Sequence, residues 1–458
     1  MRQHERAAVR RAAIKPTASR RKRHGVAHAA GRVALALLAL LVGLGIALAA
    51  ALWWLNVRGE RDADAAVSSA GDAPLVGTTV DAQQVARGAY LARAGNCQGC
   101  HTPRGAAPYS GGRGIATPFG TVYSPNLTPD LRSGIGAWTA ADFRRALHNG
   151  RSRDGRLLYP AFPYDSYTRI STGDADALFA YLRSLPAVER ANRPHALRFP
   201  YGTQAALAVW RALCFRPGRF EPDAAHPAQW NRGAYLVQGL GHCSACHAPR
   251  NALGAQREPL TLSGGLMPMQ HWLAPALAGA PAAPVASLLQ RGVAVDAALL
   301  GPMAEVVLHS TQHLAAADLQ AMALYLESLP LPAPARADSA DAAPAPAQWQ
   351  RGEKIYAERC ARCHGDDGRG RQRAYVPLAG NRALLRDPPA NPVQVVLGGA
   401  FAASTALNPQ PFGMPPFANE LSDEDVAAVL SYARNAWGNR AGAVRALDVQ
   451  RWRGSVRP

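Results

Sequence analysis

Six of the seven cysteines in this 458-residue chain fall into one spacing. Cys97 and Cys100, Cys243 and Cys246, and Cys360 and Cys363 each enclose two residues, and each pair is followed directly by a histidine, His101, His247 and His364. Two cysteines three positions apart lie on nearly the same face of a helical turn. Both sulfurs can then form thioethers with the vinyl groups of one porphyrin, while the histidine beyond them turns its imidazole to the iron. The triple CxxCH therefore predicts three covalently bound haem c groups. A structural zinc site needs CxxC knuckles close together in sequence, whereas these pairs start 146 and 117 residues apart. A redox CxxC makes no demand for the following histidine. The seventh cysteine, Cys214, is flanked by Leu213 and Phe215 and reads as a buried free thiol.

A sixth iron ligand must come from downstream of each motif, and a methionine thioether there raises the potential and suits electron transfer. After the third motif the one methionine is Met414, in FGMPPF, 51 residues beyond Cys363. After the second the choice lies among Met267, Met269, Met303 and Met322. Met303, in GPMAEVV, has the spacing and loop context of Met414, whereas Met322 falls on an apolar helical stripe and reads as core. After the first motif there is no methionine before the second repeat. In the equivalent segment, LYPAFPY, Phe162 takes the ligand's place, and the nearest downstream histidine, His148, reads as a surface or core residue.

The elements that must hold these residues recur three times. QQVARGAYLARAGNCQGCH starts at Gln83, QWNRGAYLVQGLGHCSACH at Gln229 and QWQRGEKIYAERCARCH at Gln348. Each unit opens with Arg-Gly on an apolar helical stretch and closes on an amphipathic helix. The closing stripes are Leu178, Tyr181, Leu182 and Leu185; Leu319, Met322, Ala323 and Leu326; and Val426, Val429, Leu430 and Ala433. The last helix starts on a capping box, Ser422 with Asp425. The Gly/Pro-rich stretches between, such as TPRGAAPYSGGRGIATPFG, read as irregular loops rather than strands. The expected fold is all-α, in three tandem domains at residues 80–190, 229–330 and 348–445. Residues 191–228 form a connecting segment with a packed helix around Leu207, Val209, Trp210, Leu213 and Phe215. Residues 331–347 form an Ala/Pro linker, which predicts that the third domain is the most independently placed.

Residues 33–55 run 23 positions without a charge, about 34 Å as a helix and enough to cross a bilayer. Residues 1–32 carry ten Lys/Arg against one acidic residue. That places a basic tail in the cytoplasm, a single-pass transmembrane anchor at 33–55 with Trp53 and Trp54 at the far interface, and the haem domains on the periplasmic side of the bacterial inner membrane. The tail also holds half of the formal net charge of +18. The rest is spread over more than 400 residues without a basic helix, so nucleic acid is not an expected partner.

The chain resembles the three-haem cytochrome c subunits of membrane-bound bacterial dehydrogenases, which serve alcohol, gluconate and aldehyde dehydrogenases and some molybdenum hydroxylases. The resemblance rests on TPFGTVYSPNLTPD, GIGAWTAADFRRAL, LYPAFPY, WNRGAYLVQGLGHCSACHAPRNALGA, MAEVVLHSTQHL and GMPPFANELSDEDVAAVLSYARNAWGN, and covers nearly all of residues 80–445. It implies three tandem cytochrome c domains, iron ligation by Met303 and Met414, and a departure at Phe162, where many members carry Met. NRPHALRFPYGTQAALAVW looks closer to members paired with molybdenum hydroxylases. The implied partners are a dehydrogenase catalytic subunit, optionally with a small iron–sulfur subunit, and ubiquinone or a terminal oxidase. On this reading the chain is an electron-transfer subunit without a catalytic centre of its own. The alternative is a haem enzyme whose first iron, lacking Met, keeps a position open for a small ligand such as peroxide.

Overall fold

The computed structural model describes residues 19–57, 81–267, 269–331, 343–371 and 375–454, so the start of the basic tail and most of the Ala/Pro linker lie outside the described residues. The chain divides into two units at Arg58. In the first, a single helix, α1 (Ser19–Val57), runs through the predicted span. From Arg32 to Val57 it is long and apolar enough to cross a membrane, and its most apolar 18-residue stretch has no buried residue.

The second unit repeats one plan. In the first repeat, α2 (Ala82–Ala94) packs on the closing helix α4 (Thr172–Ser184), with α3 (Ala140–Asn149) alongside. The connecting helix α5 (Gln204–Cys214) follows. In the second repeat, α6 (Ala228–Gln238) packs on α9 (Ala316–Ser328), with α7 (Ala282–Arg291) and α8 (Pro302–His309) between them. In the third, α10 (Pro346–Ile355) packs on α12 (Asp423–Ala433), preceded by α11 (Ala390–Gly398) and followed by α13 (Ala446–Arg453).

The Arg-Gly of each repeat makes each crossing. A Cβ at Gly88, Gly233 or Gly352 would run into the backbone carbonyl of Ala177, Ala321 or Ala428 on the closing helix, so only glycine lets the helices approach this closely. The preceding arginine then pairs with an aspartate in or next to the closing helix's first turn. Arg87 Nε donates to Asp174 at 2.6 Å, Arg232 holds Asp318 through two bonds of 2.9 and 2.7 Å, and Arg351 Nε reaches Asp425 at 2.8 Å.

The first two repeats clasp each other reciprocally. Tyr90 donates to Asp318 and Tyr235 to Asp174, both at 2.6 Å, so each aspartate joins its own repeat's arginine to the other repeat's tyrosine. One hydrophobic core runs through both, including Leu91, Leu178, Leu236, Leu240 and Leu319. In the third repeat Lys354 stands at the tyrosine position, and the core is separate.

Several expectations need correction. The stretch read as irregular loop contains a hairpin, β1 (Gly114–Thr117) against β2 (Gly120–Tyr123), extended by β3 (Ala196–Leu197) from the connecting segment. Smaller pairs are β4 (Gly265–Leu266) with β5 (Leu273–Ala274), and β6 (Ala400–Phe401) with β7 (Gly413–Met414). The fold is thus helical with small antiparallel sheets, not purely α. Helix α5 does tie the first two repeats together, with Arg211 donating to Asn149 O and Trp210 Nε1 to Leu253 O at 2.9 Å. Yet Val209 and Leu213, expected to pack, are exposed.

The third repeat is docked rather than free. Asn391 takes the amide of Leu273 at 2.8 Å and donates to its carbonyl at 2.9 Å, imitating a strand neighbour, and Gln394 donates to His271 O at 2.5 Å. The repeat also extends past residue 445, because Val449 of α13 is fully buried and Arg453 pairs with Asp423 at 2.6 Å.

Candidate functional site

Each CxxCH sits on a short turn just after the repeat's first helix. In the first repeat the chain leaves α2 through Gly95 and a left-handed Asn96 and re-enters a helical turn at Cys97–His101. In the second it passes Gly239 and a left-handed His242 into the turn Ser244–His247. In the third, α10 widens into a π-turn over Tyr356–Cys360 that runs straight into Ala361–His364. Irregular turns of this kind inside helices are frequent at functional sites. None of the seven cysteines is disulfide-bonded. Burial pushes the thiols of Cys97 and Cys243 up to about 12 and that of Cys360 up to about 11.

The three histidines share one geometry. His101 Nδ1 lies 2.8 Å from Pro125 O, His247 Nδ1 2.7 Å from Pro275 O, and His364 Nδ1 3.0 Å from Val376 O. A carbonyl only accepts, so Nδ1 carries the proton in each ring and Nε2 keeps its lone pair for a metal, the second-contact arrangement that orients ligating imidazoles. Burial pushes the pKa of His101 down to about 4 and lowers those of His247 and His364, which keeps all three rings neutral.

A cavity of about 1670 Å³ joins the second and third motifs. Cys243, Cys246 and His247 border it from one repeat and Cys360, Cys363 and His364 from the other, with Cys100 of the first motif at its margin. Single-ligand clefts run to roughly 300–1,000 Å³, so this volume, its largely aliphatic walls and the two preset imidazoles fit two large apolar macrocycles.

Met303 and Met414, the residues singled out by sequence, both border this cavity. Met303 opens α8 behind Gly301, whose φ of 57° turns the chain. Met414 is fixed by pairing of β7 with β6, under Gly399, whose φ is 69°. Met267, Met269 and Met322 border it too. Of these Met322 is core on α9, as expected, and Met269 is 52% exposed.

In the first repeat Phe162 packs against the shared core, its ring 5.3 Å from that of Tyr167 and 6.4 Å from that of Tyr164. His148 is 1% exposed on the last turn of α3, and its Nε2 has no hydrogen-bond partner among the described residues. Burial, then the charges of Arg219 and Arg144, push its pKa down to about 3. Cys214 is partly buried beside exposed Leu213.

Arg113 was not foreseen. Its guanidinium donates to Gly99 O inside the first CxxCH and pairs with Glu305, two residues after Met303, at 2.8 Å. The two partners are 192 positions apart in sequence, so no local pattern could reveal the contact.

The family model "Cytochrome c" matches residues 85–186, and that of "Cytochrome C oxidase, cbb3-type, subunit III" matches residues 347–432. The chain is 36% identical over 403 residues to the cytochrome c subunit of the quinone alcohol dehydrogenase of Gluconobacter oxydans, covering 82% of this chain and 84% of the relative. It is 38% identical over 392 residues to the gluconate 2-dehydrogenase cytochrome c subunit of Pantoea cypripedii, covering 80% and 88%. It is also 38% identical over 385 residues to a nicotinate dehydrogenase subunit of Pseudomonas putida, covering 81% of this chain and 31% of that longer protein.

Proposed function

The chain belongs to the family of cytochrome c subunits of bacterial dehydrogenases, and from that premise we propose that it binds three haem c groups, one in each repeat, and relays electrons from a dehydrogenase catalytic subunit to ubiquinone or a terminal oxidase. The observation that carries this reading is the threefold recurrence of a CxxCH whose histidine Nδ1 is spent on a backbone carbonyl.

Bound haem supplies a one-electron ferric/ferrous couple. The protein's part is to hold it. Cys97 and Cys100, Cys243 and Cys246, and Cys360 and Cys363 fix the ring edges, and His101, His247 and His364 offer Nε2. Met303 and Met414 would offer their thioethers to the iron in the second and third repeats, and the largely aliphatic cavity walls would surround the macrocycles. The apolar run of α1 anchors the chain in the inner membrane with the haem domains in the periplasm. The segment 192–210 favours a molybdenum-hydroxylase partner, optionally with a small iron–sulfur subunit.

Phe162 favours a second reading for the first repeat alone, an iron with one position open to a small ligand.

Expression with a haem-attachment system, followed by pyridine haemochrome assay against protein concentration, tests the main reading. Three haems per chain are expected, and replacing both cysteines of any one motif by alanine lowers the count to two. A count of two in the intact chain refutes three-haem binding.

A further inference from the structure

The cavity joining the second and third motifs is bordered by four arginines, Arg113, Arg359, Arg382 and Arg386. Arg113 is held by Glu305, and Arg359 pairs with Glu420 at 3.1 Å. Arg382 is exposed. Arg386 is half-buried, and its guanidinium has no hydrogen bond or ion pair among the described residues. Its neighbouring carboxylate, Asp387, is taken by Arg434 at 2.7 Å.

The position is built rather than incidental. Arg434 is fully buried and donates to the carbonyls of Leu384 and Arg386 itself, at 2.7 and 2.9 Å. The backbone that presents Arg386 is thereby rigid. Arg386 belongs to the third repeat, yet it lines the same cavity as His247 of the second, so it stands where the two repeats meet. A cation drawn out of water without an anion is unfavourable, and a planar guanidinium suits a carboxylate best of all side-chain cations.

We propose that Arg386 is the counter-ion of a haem propionate in the shared cavity, a carboxylate of the haem held at His247 or of the one held at His364. The inference rests on the three-haem reading above. A guanidinium beside a haem edge favours the reduced, less positive state, so Arg386 raises that haem's potential.

The test is a spectroelectrochemical titration of the full, haem-loaded chain carrying Arg386→Gln, with the haem count measured first. A count of three keeps the binding reading intact whatever the potentials do. The expected result is a lowered midpoint potential for one haem, with the others unmoved. The Met303→His and Met414→His variants identify which couple belongs to His247 and which to His364, and so which propionate is the partner. Arg386→Lys, which keeps the charge, should restore most of the shift. Unchanged potentials at full haem content overturn the proposal, as does an equal shift in Arg382→Gln, which removes the same charge from the exposed rim.

Discussion

Phe162 decides the chemistry of the first repeat. Its carbon ring cannot donate to iron, and it is held in place by contacts with Tyr164 and Tyr167 over the shared core. Burial and two nearby arginines keep His148 neutral, and the groups that act on it are the backbone of Ile170, Arg144 and Arg219. If the first repeat holds haem as proposed, Phe162 would leave its iron with one position open. Carbon monoxide added to the reduced, three-haem protein should bind one haem per chain, read as the change in the visible absorption bands. Phe162→Met should bring that number to zero and Met414→Ala should raise it to two, while His148→Ala leaves it at one. Absence of carbon monoxide binding by the unaltered protein would mean that another side chain already caps the first iron. The motifs and both methionines could be recognised from sequence because thioether attachment and axial ligation demand particular residue types. Arg113 and Arg386 could not, since a guanidinium's role depends on partners distant in sequence.

The helical crossings make opposite demands on glycine. At Gly352 an added Cβ meets the Ala428 carbonyl, so Gly352→Ala should destabilise the third repeat by about 1–3 kcal/mol. At Gly173, in the first turn of α4, nothing lies within 4 Å, and Gly173→Ala should stabilise by about 0.4–1 kcal/mol. Thermal unfolding of the two variants with equal haem content would check both signs. The aspartates at these crossings add a pH dependence. Burial works against ionisation of Asp318, but hydrogen bonds from Arg232 and Tyr90 outweigh it and hold the carboxyl below its ordinary value. A carboxylate depressed in the folded state contributes stability above its unfolded pKa of about 3.9 and loses it as pH falls further. Asp318→Asn should therefore be the less stable protein at pH 6 and close that gap below about pH 3.9, measured by urea unfolding at each pH. The three helix pairs were legible because the Arg-Gly repeats and the apolar stripes are local patterns. The hairpin of Gly114–Thr117 and Gly120–Tyr123 was hidden by its glycines and prolines, which signal a turn more strongly than the short strands around it.

At the scale of the whole chain, the linker composition misleads about how freely the third repeat is placed. An Ala/Pro linker sets how far a domain can travel, whereas docking depends on the surfaces it brings together. Here the third repeat closes the cavity through side chains that copy backbone pairing, Asn391 on Leu273 and Gln394 on His271. Neither residue carries a signal of that role in its own neighbourhood, because their partners lie more than 110 positions upstream. The reciprocal clasp of the first two repeats leaves them as one body, so these bonds are where the molecule should loosen first. Each is worth about 0.5–1.5 kcal/mol net, and more where the partner backbone group is left buried and unpaired. Asn391→Ala with Gln394→Ala should thus shift the third repeat toward an undocked state without unfolding either part. Limited proteolysis is the direct readout. Cleavage within residues 331–347 should quicken several-fold in the double variant while the haem content of both fragments stays as before. Equal cleavage rates would mean that the apolar contacts around the cavity, rather than the two amide side chains, hold the third repeat in place.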